Sequence, residues 1–233
     1  MHLTHSNDEP MSNSLAPLAW YRQMAMVLPR HLWLKAVVTP VFITLFFVAY
    51  LYLLKSPSYP TTVMPLTVVD HLISFQPSTM PLYVSLWVYV SLPPALLGTR
   101  RELFDYAAAM AINCLIGLLI FYFWPTSVPA AQVDWALYPG MDYLKSMDAA
   151  GNACPSLHVA TATFSAIWLD FILSRFGVPR WLRYVNWAWC AGIVYSTIAI
   201  RQHVVVDVLA GLVLGLLVAQ LSLRQRRCVP IPL

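Results

Sequence analysis

The chain has 233 residues, of which 59% are hydrophobic and only 10% are charged, and its mean hydropathy is +0.65. These values exclude an ordinary soluble domain and predict an integral membrane protein. The formal net charge of +4 is too small to suggest a nucleic-acid partner. The four cysteines are far apart and form no CxxC pair, so the sequence predicts neither a disulfide framework nor a zinc site.

Six apolar runs follow a mixed, polar N-terminal segment. The first run is not expected to be a signal peptide, because it begins too far from the N-terminus and lacks a small-residue cleavage site after it. Each run approaches or reaches the length that crosses a bilayer as a helix. The six expected spans are 36–54, 82–97, 106–124, 157–173, 184–200 and 204–221.

The expected fold is therefore all-α, a polytopic membrane bundle of about six transmembrane helices. Pro93-Pro94 should kink or shorten the second helix, because proline lacks the amide hydrogen and its ring clashes with the preceding turn. We expect three regions: a cytoplasmic polar tail over 1–33, a catalytic membrane domain over 34–225, and a short tail over 226–233.

The basic residues predict how the bundle is oriented. Of the fourteen lysines and arginines, all but Lys55, Lys145 and Arg201 flank one set of helix ends. Basic loops stay in the cytoplasm, so both termini are expected there. The opposite, outer side then carries the loop 125–155, the start of the fourth span and the junction between the fifth and sixth spans. A bacterial inner membrane, with an active site facing the periplasm, fits this arrangement.

A histidine and an aspartate stand at the mouth of the last span. An aspartate in hydrocarbon is costly and is expected to have a partner. His203 lies four residues before Asp207, which on a helix would place both side chains on one face. Asp207 could then orient the imidazole as a base or nucleophile. The alternative is a structural ion pair that helps the helices to pack.

A second polar motif opens the fourth span. Ser156 is placed to cap a helix, and His158 falls in its first turn. Free amide hydrogens and the helix dipole favour a phosphate at such a terminus. Both motifs are predicted on the outer side of the membrane, which supports a single anion-binding site.

The run Pro155-Ser156-Leu157-His158, followed by His203 and Asp207, resembles the type-2 phosphatidic acid phosphatase superfamily, whose members are membrane lipid phosphatases related to vanadium haloperoxidases. The form of the motifs is most similar to the branch of inositol phosphorylceramide synthase-like phosphotransferases. The resemblance covers roughly residues 80–225.

The resemblance implies that His203 attacks phosphorus, that Asp207 orients it, and that His158 protonates the leaving alcohol. Phosphate displacement also needs donors for the equatorial oxygens. Ser156 and Arg201 are candidates for that role, and Lys145 of the outer loop could reach a phosphate. No cofactor or metal is expected, because the sequence shows no cluster of carboxylates to hold one.

Two departures from the usual family pattern affect the phosphate pocket. The family places Ser-Arg before the second histidine, whereas this chain has Ser196-Thr197, and its nearby guanidinium belongs to Arg201. The KxxxxxxRP motif after the third span is missing, and Phe121–Thr126 stands in its place. These changes leave headgroup specificity open and favour the phosphotransferase branch.

Two further features bear on partners and access. The long outer loop 125–155 is expected to be a lid or a headgroup-binding segment. Gly211 and Gly215 form a GxxxG pattern, which allows another helix to approach closely. The pattern more often serves packing within one chain, and the alternative is a homo-oligomer interface.

The sequence therefore predicts a metal-independent lipid phosphatase or phosphotransferase. It would act on a lipid phosphate, with water or a lipid alcohol as acceptor, through a phosphohistidine. Two alternatives stay open: a small proton-coupled transporter and a catalytically inactive homologue. A transporter would carry polar groups through the depth of the membrane, whereas here they cluster at one face.

Overall fold

The computed structural model describes residues 19–131, 133–138, 140 and 151–227, with side chains described to Arg224. Lys145 and most of the predicted tails lie outside the described residues. Within these ranges the chain is mostly helical, in agreement with the predicted all-α class. The helices are α1 Trp20–Val27, α2 Leu32–Lys55, α3 Val68–Leu72, α4 Met80–Val84, α5 Leu86–Ala95, α6 Arg100–Phe123, α7 Leu157–Arg175, α8 Arg180–Ala199 and α9 Val205–Arg227.

Four of these helices are long and apolar enough to cross a membrane. Spans within α2, α6, α7 and α9 have mean hydropathies between 1.4 and 2.3. Together with their length, these values indicate a membrane protein. The predicted count of six is not confirmed. The second expected span is two short helices, α4 and α5, and α8 carries Arg180, Arg183 and Asn186 among its aromatic residues.

Helix α7 is the central element of the bundle. Its apolar window is 61% buried, whereas that of α2 has no buried residue. Trp168, Phe164 and Ile172 of α7 are fully or almost fully enclosed by neighbouring helices. Helix α9 packs closely against α7, because a Cβ added at Gly211 would overlap the carbonyl oxygen of Ser156. A Cβ at Gly215 would likewise overlap the carbonyl oxygen of Ala160.

The two glycines thus serve packing within the chain, where the absence of a side chain lets two helix backbones meet. Homo-oligomerisation through the same glycines stays a prediction.

Polar contacts fasten the helices at the end of the bundle that holds most of the basic residues. Lys35 of α2 donates to the carbonyl oxygen of Ala95 at the end of α5, 2.7 Å away. Arg175 at the end of α7 pairs with Glu102 in the first turn of α6, also at 2.7 Å. Thr99 and Glu102 form a capping box that starts α6. These contacts hold the end of α2 to α5 and the end of α7 to α6.

The N-terminal segment predicted as a polar tail contains a helix. Residues 20–27 form α1, and Trp20 and Met24 pack against the main core. The exposed face of α1 includes Tyr21 and Arg22. An aromatic and apolar face next to polar residues suits a helix that lies along the membrane interface.

Two short strands tie the loops together at the opposite end. Strand β1, Thr62–Val63, pairs in parallel with β2, Thr126–Ser127. Ser127 also bridges to Gly151, which brings both described edges of the long outer loop close to each other. The buried Thr126 hydroxyl accepts from the backbone nitrogen of Cys154 at 2.8 Å. This arrangement fixes the approach of the chain to Ser156 and α7.

Candidate active site

The start of α7 is built by Ser156. Its Oγ accepts from the backbone nitrogen of Val159 at 3.3 Å, the N-cap contact that the sequence predicts. Its own backbone nitrogen donates to the carbonyl oxygen of Asp207 at 3.0 Å. Ser156 is fully buried. The two sequence motifs are therefore joined directly by a hydrogen bond between their backbones.

His158 lies in the first turn of α7, against Tyr83. Their rings stack with centroids 3.9 Å apart and planes 10° apart. The Nε2 atom of His158 is 3.1 Å from the carbonyl oxygen of Tyr83. Because a carbonyl oxygen can only accept, this contact is a hydrogen bond when Nε2 carries the proton. Tyr83 thus fixes both the plane of the imidazole and the position of its proton.

His203 and Asp207 do not share a helical face, which corrects the geometry expected from their spacing. Helix α9 begins at Val205, so His203 lies in the preceding turn. The turn nevertheless brings His203 Nδ1 to 3.6 Å from Asp207 Oδ2. This separation is too long for a full hydrogen bond. A small shift of the imidazole would let Asp207 accept from Nδ1 and leave Nε2 as the reactive nitrogen.

Backbone contacts hold the histidine turn in place. The backbone nitrogens of Gln202 and His203 both donate to the carbonyl oxygen of Thr197, at 3.0 and 3.1 Å. Asp207 Oδ2 accepts from the backbone nitrogen of Val204 at 3.1 Å, which satisfies a free amide at the start of α9. Asp207 is fully buried. Its carboxylate therefore has two roles, one at the helix terminus and one beside the imidazole.

Arg201, a predicted phosphate ligand, lies next to His203, and its guanidinium donates to backbone carbonyl oxygens. Its Nη1 donates to the carbonyl oxygen of Asp70 at 2.9 Å, and its Nη2 to that of Ile73 at 2.8 Å. Its φ angle of 60° lies in the left-handed region, so the chain reverses sharply just before His203. In this arrangement the guanidinium anchors the segment around α3 to the histidine turn.

Asp70 is a site residue that the sequence analysis missed. It is almost completely buried, and its Oδ1 accepts from the backbone nitrogen of Val205 at 2.9 Å. Its Oδ2 accepts from both the nitrogen and the hydroxyl of Thr67. The Thr67-x-x-Asp70 capping box was visible in the sequence, but the contact with α9 spans more than a hundred residues.

A buried threonine lies in each of the two segments where the cation-bearing motifs of the family are missing. Thr197 occupies the position of the missing arginine, and its Oγ1 donates to the carbonyl oxygen of Val194. Thr126, at the missing first motif, binds Cys154 as described above. Both threonines are fully buried. These positions therefore provide structural hydrogen bonds rather than positive charge.

A cavity of about 360 Å³ opens between α2, α5, α6 and α7. His158 and His203 both line its outer-loop end, together with Tyr83 and Asn152. Asn152 has a φ angle of 49° and donates to the carbonyl oxygen of Tyr50 at 3.0 Å. The rest of the wall is mainly aliphatic and aromatic. The two histidines thus face a common space that continues into the apolar part of the bundle.

Cys154 is next to the site but is a poor nucleophile. Burial, together with the nearby Asp207 carboxylate, raises the pKa of its thiol to about 11. The thiol is therefore protonated at neutral pH, and the thiolate is the reactive form. Among the described residues, no group of three or more histidine, cysteine, aspartate or glutamate side chains is arranged to hold a metal.

The structure is a helical membrane bundle in which the two histidine motifs lie together at one end. The PAP2 superfamily model matches residues 102–228, more than half of the chain. The chain therefore belongs to the PAP2 superfamily, whose members are phosphatases and phosphotransferases. Comparisons with curated proteins and with solved structures gave no match.

Proposed function

We propose that this protein is an integral-membrane lipid phosphatase or phosphotransferase that works through a phosphohistidine on His203. The observation that carries the proposal is the shared cavity, which His158 and His203 line at one end and apolar side chains line elsewhere. A polar end next to an apolar space suits a substrate with a phosphate head and a hydrocarbon tail. Membership of the PAP2 superfamily supports the reaction class.

In the proposed first step, Nε2 of His203 attacks phosphorus and the bond from phosphorus to the lipid oxygen breaks. Asp207, 3.6 Å from Nδ1, orients the ring and stabilises the positive charge that develops on it. His158 gives a proton to the departing oxygen, so that a neutral alcohol leaves. This transfer requires the leaving oxygen to replace the carbonyl oxygen of Tyr83 as the partner of Nε2.

In the second step, water or a lipid alcohol attacks the phosphohistidine, and His158 takes the proton back. The first turn of α7 supplies backbone amides for the equatorial phosphate oxygens, because the first amides of a helix have no partner within it. Ser156, Arg201 and Lys145 are the proposed side-chain contributors. The absence of both cation-bearing motifs from the sequence favours the branch of inositol phosphorylceramide synthase-like phosphotransferases.

We place the protein in a bacterial inner membrane, with its termini in the cytoplasm and the histidines at the periplasmic face. The distribution of lysine and arginine supports this orientation. The substrate would then be a phosphate ester in the outer leaflet, next to the end of the cavity that holds the histidines.

The decisive experiment incubates the purified full-length protein with radiolabelled lipid phosphates, with and without an alcohol acceptor. We expect release or transfer of phosphate and an acid-labile phosphoprotein that His203→Ala abolishes. His71→Ala is the matched control, because His71 is exposed on α3. Vanadate should compete with substrate, since it forms the five-coordinate geometry of the transition state, and EDTA should have no effect.

Two results would contradict the proposal. One is a phosphoprotein that persists in His203→Ala, and the other is activity lost with EDTA and restored by a divalent metal. Absence of turnover on every lipid phosphate in the panel would favour the inactive-homologue alternative.

A further inference from the structure

The cavity extends far beyond the histidines. From α2, its wall includes side chains spaced three and four residues apart between Leu34 and Leu51. This spacing places them along one face of the helix. With a rise of about 1.5 Å per residue, that face is roughly 26 Å long. The cavity therefore follows α2 for most of its length.

The opposite wall independently gives the same extent. Helix α6 lines the cavity from Leu103 to Cys114, and Leu103 lies in the first turn of α6, far from the histidine end. Lys35, which also lines the cavity, bonds to the carbonyl oxygen of Ala95 and joins α2 to α5. One leaflet of a bilayer is about 15 Å of hydrocarbon, half of the usual core. The cavity, roughly 26 Å along α2, is therefore longer than one leaflet is thick.

We infer that this cavity binds a single hydrocarbon chain that is longer than one leaflet, with its phosphate at the histidines. The inference rests on the proposed function and adds the class of lipid. The tails of an ordinary diacyl lipid end near the midplane and would leave the Lys35 end of the cavity empty. A volume of about 360 Å³ is also near the lower limit for a ligand pocket, which favours one chain over two.

Helix α2 is suited to admit such a chain from the membrane. It has no buried residue, although its side chains form one long wall of the cavity. Two tertiary hydrogen bonds hold it near its ends: Lys35 donates to the carbonyl oxygen of Ala95, and the Tyr50 carbonyl oxygen accepts from Asn152. A long chain could therefore enter sideways between α2 and α5 while the ends of α2 stay fixed.

The test uses tryptophan substitutions that fill the far half of the cavity from both walls. Thr39 on α2 and Ala107 on α6 both line it. Thr39 is twelve residues from Leu51, or about 18 Å along the helix, and so lies beyond one leaflet. Thr44→Trp and Ala108→Trp are the matched controls, because both residues are exposed and neither lines the cavity.

Turnover of octyl phosphate, docosyl phosphate and dioleoyl phosphatidate would be compared in detergent micelles. We expect the wild type to prefer docosyl phosphate. The indole would fill the space of the distal methylenes of docosyl phosphate, whereas octyl phosphate is too short to reach it. The docosyl-to-octyl ratio of kcat/KM should therefore fall by about tenfold in Thr39→Trp and in Ala107→Trp. The two control variants should keep the ratio of the wild type.

Binding to the intact protein, measured by native mass spectrometry, separates this inference from the proposed function. If no phosphate is released from any substrate, loss of docosyl phosphate binding in Thr39→Trp and Ala107→Trp would still support the long-chain site. A preference for phosphatidate, or binding and turnover ratios that both far-end variants leave unchanged, would overturn the inference. In that case the phosphatase proposal would stand on its own result.

Discussion

The two histidines are held by different kinds of contact. His158 is fixed through its side chain, by the ring and the carbonyl oxygen of Tyr83. His203 is fixed through its backbone, which donates to Thr197, and its Nδ1 atom has no hydrogen-bond partner among the described residues. A ring fixed only by its backbone and a carboxylate 3.6 Å away can turn toward a phosphate. This difference agrees with the proposed roles of acid for His158 and nucleophile for His203.

Replacing His158 by alanine should affect substrates according to their leaving group. An alkoxide leaves poorly without a proton, so His158→Ala should slow alkyl phosphate turnover by about 10²- to 10⁴-fold. A p-nitrophenolate needs little protonation, and the loss on p-nitrophenyl phosphate should be much smaller. His203→Ala should lose both activities. Steady-state kinetics on the two substrates measure the difference, and equal losses in the two variants would refute these role assignments.

Asp70 should act as a positioning residue for His203. Asp70→Asn would turn one of its acceptor oxygens into a donor, directed at an amide that already donates. We expect a loss of about 1–3 kcal/mol in the free energy of unfolding. We also expect a lower kcat, because the start of α9 would move relative to His203, with little change in KM.

The matched control is Asp105→Asn, which makes the same chemical change at an exposed residue near the start of α6. Thermal unfolding in detergent measures the loss of stability. Kinetics at temperatures well below the unfolding midpoint measure the change in kcat separately. A variant that is less stable but keeps a normal kcat would show that Asp70 has only a structural role.

Among the elements, the contact between α7 and α9 controls the geometry of the site. Gly211 meets the backbone of Ser156, and Ser156 in turn donates to Asp207. The same stretch of α9 therefore packs against the helix that carries His158 and holds the carboxylate beside His203. Small displacements of α9 should change the separation of the two histidines.

Gly211→Ala should therefore reduce activity more than its size suggests. The added methyl group would overlap the carbonyl oxygen of Ser156, a backbone atom that cannot move by rotating a side chain. Overpacking of this kind typically lowers the free energy of unfolding by about 1–3 kcal/mol. The higher helix propensity of alanine would restore about 1 kcal/mol of it. Gly192→Ala on α8 is the control, because its nearest atom is a side-chain carbon of Leu82 at 3.4 Å. Thermal stability and kcat of both variants should be measured, and equal behaviour would contradict the packing argument.

At the scale of the whole molecule, the histidines and the basic cluster occupy opposite ends of the bundle. A cysteine at Ser58, in the loop after α2, should react with an impermeant thiol reagent from the periplasmic side. A cysteine at Ser174, near the end of α7, should react only after the membrane is opened. Both serines are exposed, and Cys114, Cys154 and Cys190 are buried. Reaction of both positions from the same side would exclude the proposed orientation.

The distribution of ionisable groups also bears on the transporter alternative. A proton relay needs such groups at successive depths of the membrane. In the part of the chain that the structure describes, the buried carboxylates and histidines are Asp70, His203 and Asp207, all at one end. Asn113 and Thr163 are buried in α6 and α7, but neither side chain titrates. A site at one face therefore fits these residues better than a relay.

The sequence alone determined the all-α class of fold, the membrane environment and the two histidine motifs of the candidate site. Apolar runs long enough to span a bilayer predict helices, because a backbone in hydrocarbon must satisfy its own hydrogen bonds. Ser156 predicted the start of α7, since an N-cap depends on neighbouring residues only. Pro93-Pro94 predicted a short second helix, and α5 ends one residue after them. Each of these features follows from local interactions.

The tertiary structure alone decided how the two motifs meet and what surrounds them. His203 lies outside α9, contrary to its spacing from Asp207, because Thr197 binds the turn before the helix begins. Asp70, Tyr83 and the cavity depend on contacts between residues that are far apart in sequence. Spacing along the chain fixes which side chains share a helix face, but the packing of separate helices fixes which faces meet. The depth of the cavity depends on this packing of separate helices, because four helices bound the cavity and no single segment encodes their separation.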